Sequence, residues 1–373
     1  MNINIALLPG DGIGPEVLQQ AVSCLEAVEQ AFGHDFAFKE GAVGAMAIDK
    51  TGDPLPDSTL QLCKEADAVL FGAIGDPKYD NDPEAKVRPE QGLLKLRKEL
   101  GLYTNIRPVK VFPTLIEKSP LKEERIKGTD FAIYRELTGG IYFGEKKASE
   151  DGTTASDLCE YSEKEVSRIA HLAFKAARNR RNKLTLVDKA NVLESSRLWR
   201  RVVTKIGESY PDVQLDFLFV DNAAMQIILN PSQFDIILTE NMFGDILSDE
   251  GSVIGGSIGL LASASIGDEN ALFEPIHGSY PQAKGQDIAN PIASILSAAM
   301  LLEHFQLFEE AMTVREAVNI ALQKGIVTPD LNPKSKYGTN HVGDFIANNI
   351  IDHDDDRLNI NDENIGLGKS TII

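Results

Sequence analysis

The sequence predicts an α/β fold, and three observations support this class. Short apolar runs alternate along the chain with longer amphipathic runs, which is typical of strand–helix–strand units. The chain has 373 residues, enough for two domains or for one large α/β unit. Hydrophobic residues make up 43% and charged residues 25% of the sequence, as in ordinary globular enzymes, so we expect an ordered core.

The first part of the chain predicts strands and helices in alternation. INIALL predicts a buried strand, and ADAVLFGAIG predicts a second one. Between them, a glycine-rich turn leads into a helix that has Pro15 at its first position. The loop DPKYDNDPEAKVRPE follows the second strand, and GLLKLRKELG predicts the next helix.

The middle of the chain continues this alternation. The apolar runs FAIYRELTGG, LTLV, VQLDFLFV and DIILT predict strands, and EKEVSRIAHLAFKAARNRR and ESSRLWRRVVTKIGESY predict helices. From GGSIGLL onward the strand signals fade, and helices such as IASILSAAMLLEHF and TVREAVNIALQ dominate. The acidic run that begins DHDDDR predicts a surface tail.

The overall charge restricts the possible partners. The formal net charge is −19 and the pI is near 4.8. Nucleic acids and anionic membranes bind basic surfaces, so we expect neither as a partner. An anionic substrate would need a local cluster of arginines and lysines to overcome the overall negative charge.

The cysteines and the first residues indicate a cytoplasmic protein. Cys24, Cys63 and Cys159 are far apart and lack metal-ligand spacing, so they are interpreted as free thiols of a reducing compartment. MNINIALLPGDG has no basic flank or long apolar segment, so no signal peptide is expected. No stretch is long and apolar enough for a membrane span.

The glycine-rich turn is not interpreted as a dinucleotide-binding fingerprint. Gly10, Gly12 and Gly14 lie between a strand and a helix, but Pro15 occupies the position of the third glycine of G-x-G-x-x-G. No acidic residue follows a second predicted strand in the expected manner. The sequence therefore predicts a tight strand-to-helix turn and no Rossmann fold.

Charged side chains follow several predicted strands. Asp221 comes after VQLDFLFV, Lys189 after LTLV, and the carboxylates Asp245 and Asp249 share one face of the helix after DIILT. Ligands bind at the carboxyl ends of strands in open α/β sheets, so these residues suggest part of a divalent-cation site. An isolated D-x-x-x-D pair is otherwise typical of a solvated helix face.

Three arginines supply the cluster that an anionic substrate would need. Arg97, Arg107 and Arg135 belong to predicted regular elements, and guanidinium groups bind carboxylates in a fixed bidentate geometry. Each arginine alone would be interpreted as a surface ion pair. Lys189 is either a base of lowered pKa or an exposed loop lysine, and Tyr142 is either a proton donor or a structural phenol.

Several long motifs, in order, resemble one enzyme family. They are GDGIGPE, LRKELGLYTNIRPV, RELTGGIYFGE, VDKANVLE, NMFGDILSDEGS, EPIHGS and GQDIANPIASILSAAM. From about residue 3 to residue 345 the chain is similar to the isocitrate and isopropylmalate dehydrogenases. The resemblance implies a two-domain fold with a central mixed sheet, in which 1–102 plus 257–373 bind the cofactor, with 352–373 as a tail. Residues 103–256 then hold substrate and metal and form a dimer.

The resemblance also implies a reaction and a role for each site residue. These enzymes oxidise a 2-hydroxy acid with a nicotinamide cofactor and then release carbon dioxide. The substrate carboxylates are assigned to Arg97, Arg107 and Arg135, and Mg²⁺ or Mn²⁺ to Asp221, Asp245 and Asp249, since hard cations prefer oxygen ligands. Lys189 is assigned as the base and Tyr142 as the proton donor. The family is homodimeric, with Lys189 and Asp221 entering the site from the partner subunit.

The cofactor implied by the resemblance is NAD. It lies against the loop from Asp76 to Glu90 and the segment from Glu274 to Asn290, which includes His277 and Gly278. NAD-specific relatives carry an aspartate at the position of Gln282, and NADP-specific members place a lysine and a tyrosine around that point. Gln282 can bond a ribose hydroxyl but does not repel a phosphate, so NAD is favoured without strict exclusion of NADP.

The side chains on the predicted helix that carries Arg97 indicate which substrate is bound. Glu90, Leu93 and Leu94 precede that arginine, and the two leucines offer an apolar surface suited to an isopropyl group, with Val192 completing the pocket. The resemblance therefore implies oxidation of 3-isopropylmalate, a step of leucine biosynthesis. D-malate, tartrate or isocitrate are alternative substrates. A non-catalytic regulatory subunit is a distant alternative, because the base, the proton donor and the metal carboxylates are all present.

Overall fold

The computed structural model describes residues 1–80 and 87–352, and these form two compact units. The first unit contains Met1–Leu102, Phe112–Lys118 and the described residues from Gly256 onward. The second contains Tyr103–Val111 and Ser119–Gly255. The boundaries implied by the resemblance differ, because they place Phe112–Lys118 and Gly256 in the second domain. Most of the acidic tail, and residues 81–86 of the Asp76–Glu90 loop, lie outside the described residues.

The helices and strands have the following bounds. The first unit opens with β1 (Asn2–Gly10), α1 (Gly14–Phe32), β2 (Asp35–Glu40), α2 (Ala45–Thr51), α3 (Asp57–Glu65), β3 (Ala68–Ala73), α4 (Pro77–Asp80) and α5 (Pro89–Glu99). The second contains β4 (Thr104–Lys110), α6 (Glu123–Ile126), β5 (Asp130–Glu136), β6 (Lys146–Ala148), β7 (Ala155–Asp157), α7 (Glu163–Arg178), β8 (Lys183–Asp188), α8 (Glu194–Gly207), β9 (Gln214–Phe219), α9 (Val220–Leu229), β10 (Ile236–Thr239) and α10 (Asn241–Ser252). The first unit resumes with β11 (Ala262–Ile266), β12 (Ala271–Pro275), α11 (Ile292–His304), α12 (Phe308–Lys324) and α13 (Thr339–Ile351).

The strands of the first unit lie in the order β2–β1–β3–β12–β11. The first four run parallel, and β12 pairs antiparallel with β11. Helix α1 begins with Pro15 in its first turn and ends at Gly33, whose φ of 74° favours glycine. Its buried face packs against α11 and α13. This helix is therefore confirmed as the sequence predicts it.

The strands of the second unit lie in the order β4–β5–β10–β8–β9, with β4 antiparallel to β5 and the other four parallel. Thr239 at the end of β10 lies opposite Arg135 in β5 and Val187 in β8. Phe219 in β9 lies opposite Asp188. Parallel strands end at one edge, so the side chains that follow these strands emerge together. The predicted α/β class with mixed strand directions is confirmed.

Six of the strands were not predicted from the sequence, namely β2, β4, β6, β7, β11 and β12. Strand β2 follows α1 directly, and β11 and β12 lie where the strand signals were interpreted as fading. Because β2 ends at Glu40, an acidic residue does follow the second strand, and that reason for rejecting a dinucleotide fingerprint was wrong. Pro15 remains as the reason from the sequence.

The cysteines are free thiols, as predicted. Cys24 and Cys63 are buried in the first unit, where burial raises the pKa of each thiol, to about 12 for Cys63. Cys159 is half-buried in the second unit. Within residues 1–80 and 87–352, none of the helices has the length and apolar character needed to cross a bilayer.

Candidate active site

Helix α10 carries the two carboxylates that the sequence singles out. Asp245 and Asp249 lie one turn apart, and their side chains are 36% and 71% exposed. Phe243 and Leu247 on the same helix are buried. The helix starts directly after β10, at the edge where the parallel strands end. It therefore presents two accessible carboxylates on an anchored support.

Arg107 in β4 contacts α10 from one side. Its Nε donates to Oδ1 of Asn105 at 2.8 Å, and its Nη1 donates to Oγ of Ser248 at 2.7 Å and to Oδ1 of Asp249 at 3.1 Å. Its Nη2 lies 3.9 Å from Oδ1 of Asp245. The arginine side chain is only 13% exposed whereas Asp249 is 71% exposed, so the guanidinium is largely desolvated but its carboxylate partner is not.

Arg135 in β5 contacts the same helix. Its Nη1 donates to Oδ1 of Asp245 at 2.5 Å, and its Nε and Nη2 donate to Oδ1 of Asn241 at 3.1 and 2.8 Å. Gly244 makes room for this approach, since a Cβ there would lie 2.6 Å from Cγ of the arginine. Two of the three predicted arginines therefore meet the two predicted carboxylates on α10.

Tyr142 joins this cluster from the turn after β5. Its hydroxyl donates to Oδ2 of Asp245 at 2.9 Å, and its ring centre lies 5.8 Å from the guanidinium carbon of Arg135. Partial burial, and then the hydrogen bond to Asp245, raise the pKa of Tyr142. The phenol therefore keeps its proton at neutral pH, as a proton donor must.

Lys189 follows β8 and pairs with Asp221 in the first turn of α9. The distance from Nζ to Oδ1 is 2.9 Å, and this hydrogen bond lowers the pKa of the aspartate. In the described part of the chain, no three histidine, cysteine or acidic side chains are close enough together to hold a metal ion. Asp221 therefore does not form a three-carboxylate group with Asp245 and Asp249 of the same subunit.

Arg97 lies on α5 of the first unit. Its Nη2 donates to Oε1 of Glu274 at 2.7 Å, and both side chains are largely buried. Glu90, seven residues earlier on this helix, lies against the main chain, because a Cβ on Gly75 would come within 2.9 Å of its Oε1. The arginine that is assigned to the substrate is thus paired with a predicted cofactor residue.

The two leucines of α5 differ in exposure. Leu94 is 48% exposed and lies four residues after Glu90 and three before Arg97, on one helix face. Leu93 packs partly against the core of the first unit. Val192 in the second unit is 62% exposed. Leu94 and Val192 therefore offer apolar surface, whereas part of Leu93 supports the helix.

The segment after β12 lines a cavity of about 330 Å³ in the first unit. Its apolar wall includes Ile258, Tyr280 and Ile288, and its polar lining includes His277, Asn290 and Asp330, with Gly278 between. Burial lowers the pKa of His277, and its buried Nε2 has no hydrogen-bond partner within the described residues. The cavity therefore suits a flat ligand with hydrogen-bonding edges.

The other predicted cofactor residues lie outside the lining of this cavity. Gln282 is exposed in a short turn, where its carbonyl accepts a hydrogen bond from Nε2 of Gln286 at 2.5 Å. Asp76 accepts from the main-chain N–H of Lys78. Glu90 lies against the main chain at Gly75, and Glu274 accepts a hydrogen bond from Arg97. Only His277, Gly278 and Asn290 of the predicted set line the cavity.

The glycine-rich turn before α1 is closed by protein. The N–H of Ile13 donates to the carbonyl of Ser279 at 2.8 Å. Gly12 has a φ of 58°, and a Cβ there would lie 1.9 Å from the same carbonyl oxygen. Gly12 therefore serves a close main-chain approach that a side chain would block.

Neutral polar residues that hold the arginines were missed from the sequence. Asn105 precedes Arg107 by two residues, on the same face of the strand. Asn241 and Ser248 flank Asp245 at spacings of four and three on one helix. These spacings are the signal that could have identified them.

Glu240, between β10 and α10, was also missed. Its Oε1 lies 3.4 Å from Oγ of Ser196, which accepts the main-chain N–H of Lys189 at 3.1 Å. Burial raises the pKa of Glu240 to about 7. The main chain at Lys189 is therefore linked through the hydroxyl of Ser196 to the buried carboxyl group of Glu240.

Comparison with known proteins gives a consistent result. The family model described as isocitrate/isopropylmalate dehydrogenase matches residues 4–346. A Bacteroides fragilis protein named 3-isopropylmalate dehydrogenase is 54% identical over 352 residues, which cover 94% of this chain and 99% of that protein. An isocitrate dehydrogenase structure from Methylococcus capsulatus has a TM-score of 0.84 and 34% identity, covering 94% of this chain and 99% of its own. A β-decarboxylating dehydrogenase from Thermococcus kodakarensis, in its apo form, has a TM-score of 0.79 and 36% identity, covering 94% and 96%.

Proposed function

Because this chain belongs to the isocitrate/isopropylmalate dehydrogenase family, we propose that it oxidises (2R,3S)-3-isopropylmalate with NAD and releases carbon dioxide. The organic product is 4-methyl-2-oxopentanoate, and the reaction is a step of leucine biosynthesis. The observation that carries the substrate choice is Leu94, an exposed apolar side chain on the helix face between Glu90 and Arg97. Burying an isopropyl group there would contribute about 2 kcal/mol.

The substrate carboxylates bind to the arginines. Arg107 and Arg135 are held by α10 with little exposure, so their guanidinium groups are already oriented before a ligand arrives. Arg97 is the third arginine that the family resemblance assigns to this substrate. The two carboxylates of 3-isopropylmalate would compete with the present aspartate partners of these arginines, which explains how a protein of net charge −19 can bind an anion.

The carboxylates of α10 fit Mg²⁺ or Mn²⁺. Their donor atoms are hard oxygens, and their side chains are accessible. When bound, such a cation polarises the substrate oxygens and stabilises negative charge. Binding of the cation would displace Arg107 and Arg135 from Asp249 and Asp245. A substrate carboxylate would then pair with the displaced arginines. We therefore infer that cation and substrate favour each other's binding.

Two side chains carry the protons. Lys189 takes the proton of the substrate hydroxyl when hydride leaves the same carbon, and Tyr142 returns a proton to carbon after carbon dioxide departs. The phenol suits the second role because its pKa is raised and its hydroxyl contacts Asp245. The lysine and the tyrosine thus act at different stages of one reaction.

Dimer formation would complete the cation site. Asp221 and Lys189 pair with each other but lie apart from the α10 carboxylates of their own subunit, so Asp221 of the partner subunit is the third ligand in this proposal. Exposed apolar side chains on α9 and at α10 support an interface: Met225, Ile228, Leu229, Ile246 and Val253. An isologous contact through this face gives a homodimer.

The cavity after β12 is proposed as the adenosine site of NAD. Its apolar wall can stack on the base, and Nε2 of His277, which has no partner among the described residues, offers a hydrogen bond. Gln282, exposed in the turn nearby in sequence, stands where an aspartate would repel a 2′-phosphate. The protein therefore prefers NAD over NADP, but only weakly, because Gln282 does not repel the 2′-phosphate of NADP.

A substrate panel tests the proposed function. We expect the purified protein with Mg²⁺ or Mn²⁺ to form NADH with 3-isopropylmalate at least about tenfold more efficiently than with D-malate, tartrate or isocitrate, because only that substrate fills the apolar surface. Absorbance of NADH is the measurement, and EDTA should abolish it. Turnover only with another acid would contradict the substrate, and absence of any turnover would favour a regulatory subunit.

Replacing Gln282 with aspartate tests the cofactor position. The variant should raise the ratio of kcat/KM for NAD over NADP by about tenfold or more, because a carboxylate repels the 2′-phosphate. Steady-state kinetics with both cofactors give the ratio. Gln61→Asp, an equal change on an exposed face of the same unit, should leave it unchanged. An unchanged ratio in Gln282→Asp would show that this side chain does not face the ribose.

A further inference from the structure

The side chain of Asn241 occupies a central position in the second unit. The residue begins α10 and is 1% exposed. Its Oδ1 accepts two hydrogen bonds from Arg135, and its Nδ2 donates to the carbonyl of Gly139 at 3.1 Å. Its main-chain N–H donates to the hydroxyl of Tyr161 at 2.9 Å. The buried side-chain amide of Asn241 therefore connects the start of α10 with Arg135 and with the turn that leads to Tyr142.

These bonds fix the plane of the Arg135 guanidinium. Nε and Nη2 form one edge of that group, and both point at Asn241, while Nη1 points at Asp245 one helical turn further on. Rotation about the last side-chain bond would break contacts with both partners at once. The aliphatic part of the arginine lies on Gly244. Two side chains of α10, Asn241 and Asp245, thus both contribute to the orientation of the guanidinium.

An amide suits this position better than a carboxylate. A neutral oxygen holds the guanidinium without cancelling its charge, so the arginine remains attractive to a substrate carboxylate. The amide nitrogen also satisfies the buried carbonyl of Gly139, which a carboxylate at that place could not do. Asn241 therefore provides an acceptor and a donor in opposite directions without adding charge.

We propose that Asn241 is a positioning residue that orients Arg135 for the substrate carboxylate and ties the Gly139–Tyr142 turn to the helix of Asp245. The inference rests on the proposed function, because it takes Arg135 as a carboxylate-binding group. Asn241 itself does not contact the reacting atoms in this proposal. It acts through the arginine and the turn.

The test is the affinity for 3-isopropylmalate in the full-length enzyme with Mg²⁺. Asn241→Ala should raise the Kd, measured by calorimetry, by about 30-fold, since a charged group loses its oriented hydrogen bonds. The KM for NAD should change by less than about twofold, because the first unit is untouched. In an Arg135→Met background the same substitution should change the Kd by less than about threefold.

Two controls separate positioning from folding. Tyr161→Phe removes the partner of the main-chain N–H of Asn241 and leaves the side-chain amide in place, so the substrate Kd should stay within about threefold. If Asn241→Ala does not fold, Asn241→Ser takes its place under the same criteria. A Kd within threefold of wild type, or an equal loss in the Arg135→Met background, overturns the inference. Failure of the wild-type protein to bind 3-isopropylmalate would instead refute the proposed function.

Discussion

Replacing Lys189 with methionine should lower turnover by at least about a hundredfold. Methionine keeps most of the side-chain volume but removes the amine that accepts the hydroxyl proton in the proposed reaction. The substitution also leaves Asp221 without the 2.9 Å partner that lowers its pKa. The measurement is kcat for NADH formation at saturating 3-isopropylmalate, NAD and Mg²⁺.

Lys183 offers a matched control at the opposite end of the same strand. It pairs with Asp216 at 3.2 Å and is about as exposed as Lys189, with side-chain exposures of 27% and 26%. Lys183→Met should therefore keep kcat within about twofold, because its surface ion pair contributes little. If Lys189→Met retained more than a tenth of wild-type turnover, the role of Lys189 as base would be wrong.

Replacing Asp245 with asparagine should also reduce turnover by at least about a hundredfold, and should weaken binding of Mn²⁺ by at least about tenfold. Asparagine has nearly the same shape, and its oxygen can still accept a hydrogen bond from Arg135 or Tyr142, so the loss would report the missing charge. Calorimetry with Mn²⁺ measures binding directly and does not depend on catalysis.

The matching control lies five residues further along α10. Glu250→Gln makes the same change from carboxylate to amide on that helix, at a partly buried position outside the face of Asp245 and Asp249. It should leave Mn²⁺ affinity within about twofold. Unaltered Mn²⁺ affinity in Asp245→Asn would remove this carboxylate from the proposed cation site.

The two inactive variants together test the shared site. If Lys189 of the partner subunit serves the site that contains Asp245, a hybrid dimer has one site with both substitutions and one with neither. Random exchange of equal amounts should restore about a quarter of wild-type activity. A mixture that stays inactive after exchange would show that both residues act within one subunit.

The strand ends were the part of the site that the sequence could predict. Lys189, Asp221 and the α10 carboxylates each follow an apolar run, and parallel strands bring such positions to one edge. The contacts between Arg135, Tyr142 and Asp245 follow from that topology. The distances between these side chains depend on how the side chains pack, and residue spacing in the sequence does not predict that packing.

The neutral partners of the arginines were harder to find. Asn105, Asn241 and Ser248 carry no charge, so a search for charged clusters passes over them. Their positions are nevertheless regular, two residues from an arginine on a strand or three to four from an aspartate on a helix. A search by shared face would have included them.

The missed strands show where local patterns fail. The strand β11 consists of small residues and serines with one isoleucine, and such residues have little intrinsic preference for strands. β12 ends in a proline and pairs with β3, about 200 residues earlier in the chain. Such strands are stabilised by distant neighbours and by burial, which the local sequence does not display.

The packing of α1 against α13 has a consequence for synthesis on the ribosome. Nε2 of Gln20 donates to Oδ1 of Asn340 across 320 residues, and a Cβ on Gly343 would collide with the same glutamine. All described residues of the second unit have been made once residue 255 is synthesised, whereas the buried face of α1 packs against α13, the last described helix. We therefore expect the second unit to fold first in the growing chain. A protein that ends before α13 should keep a folded second unit but leave the first unit unfolded, even though it contains every proposed site residue.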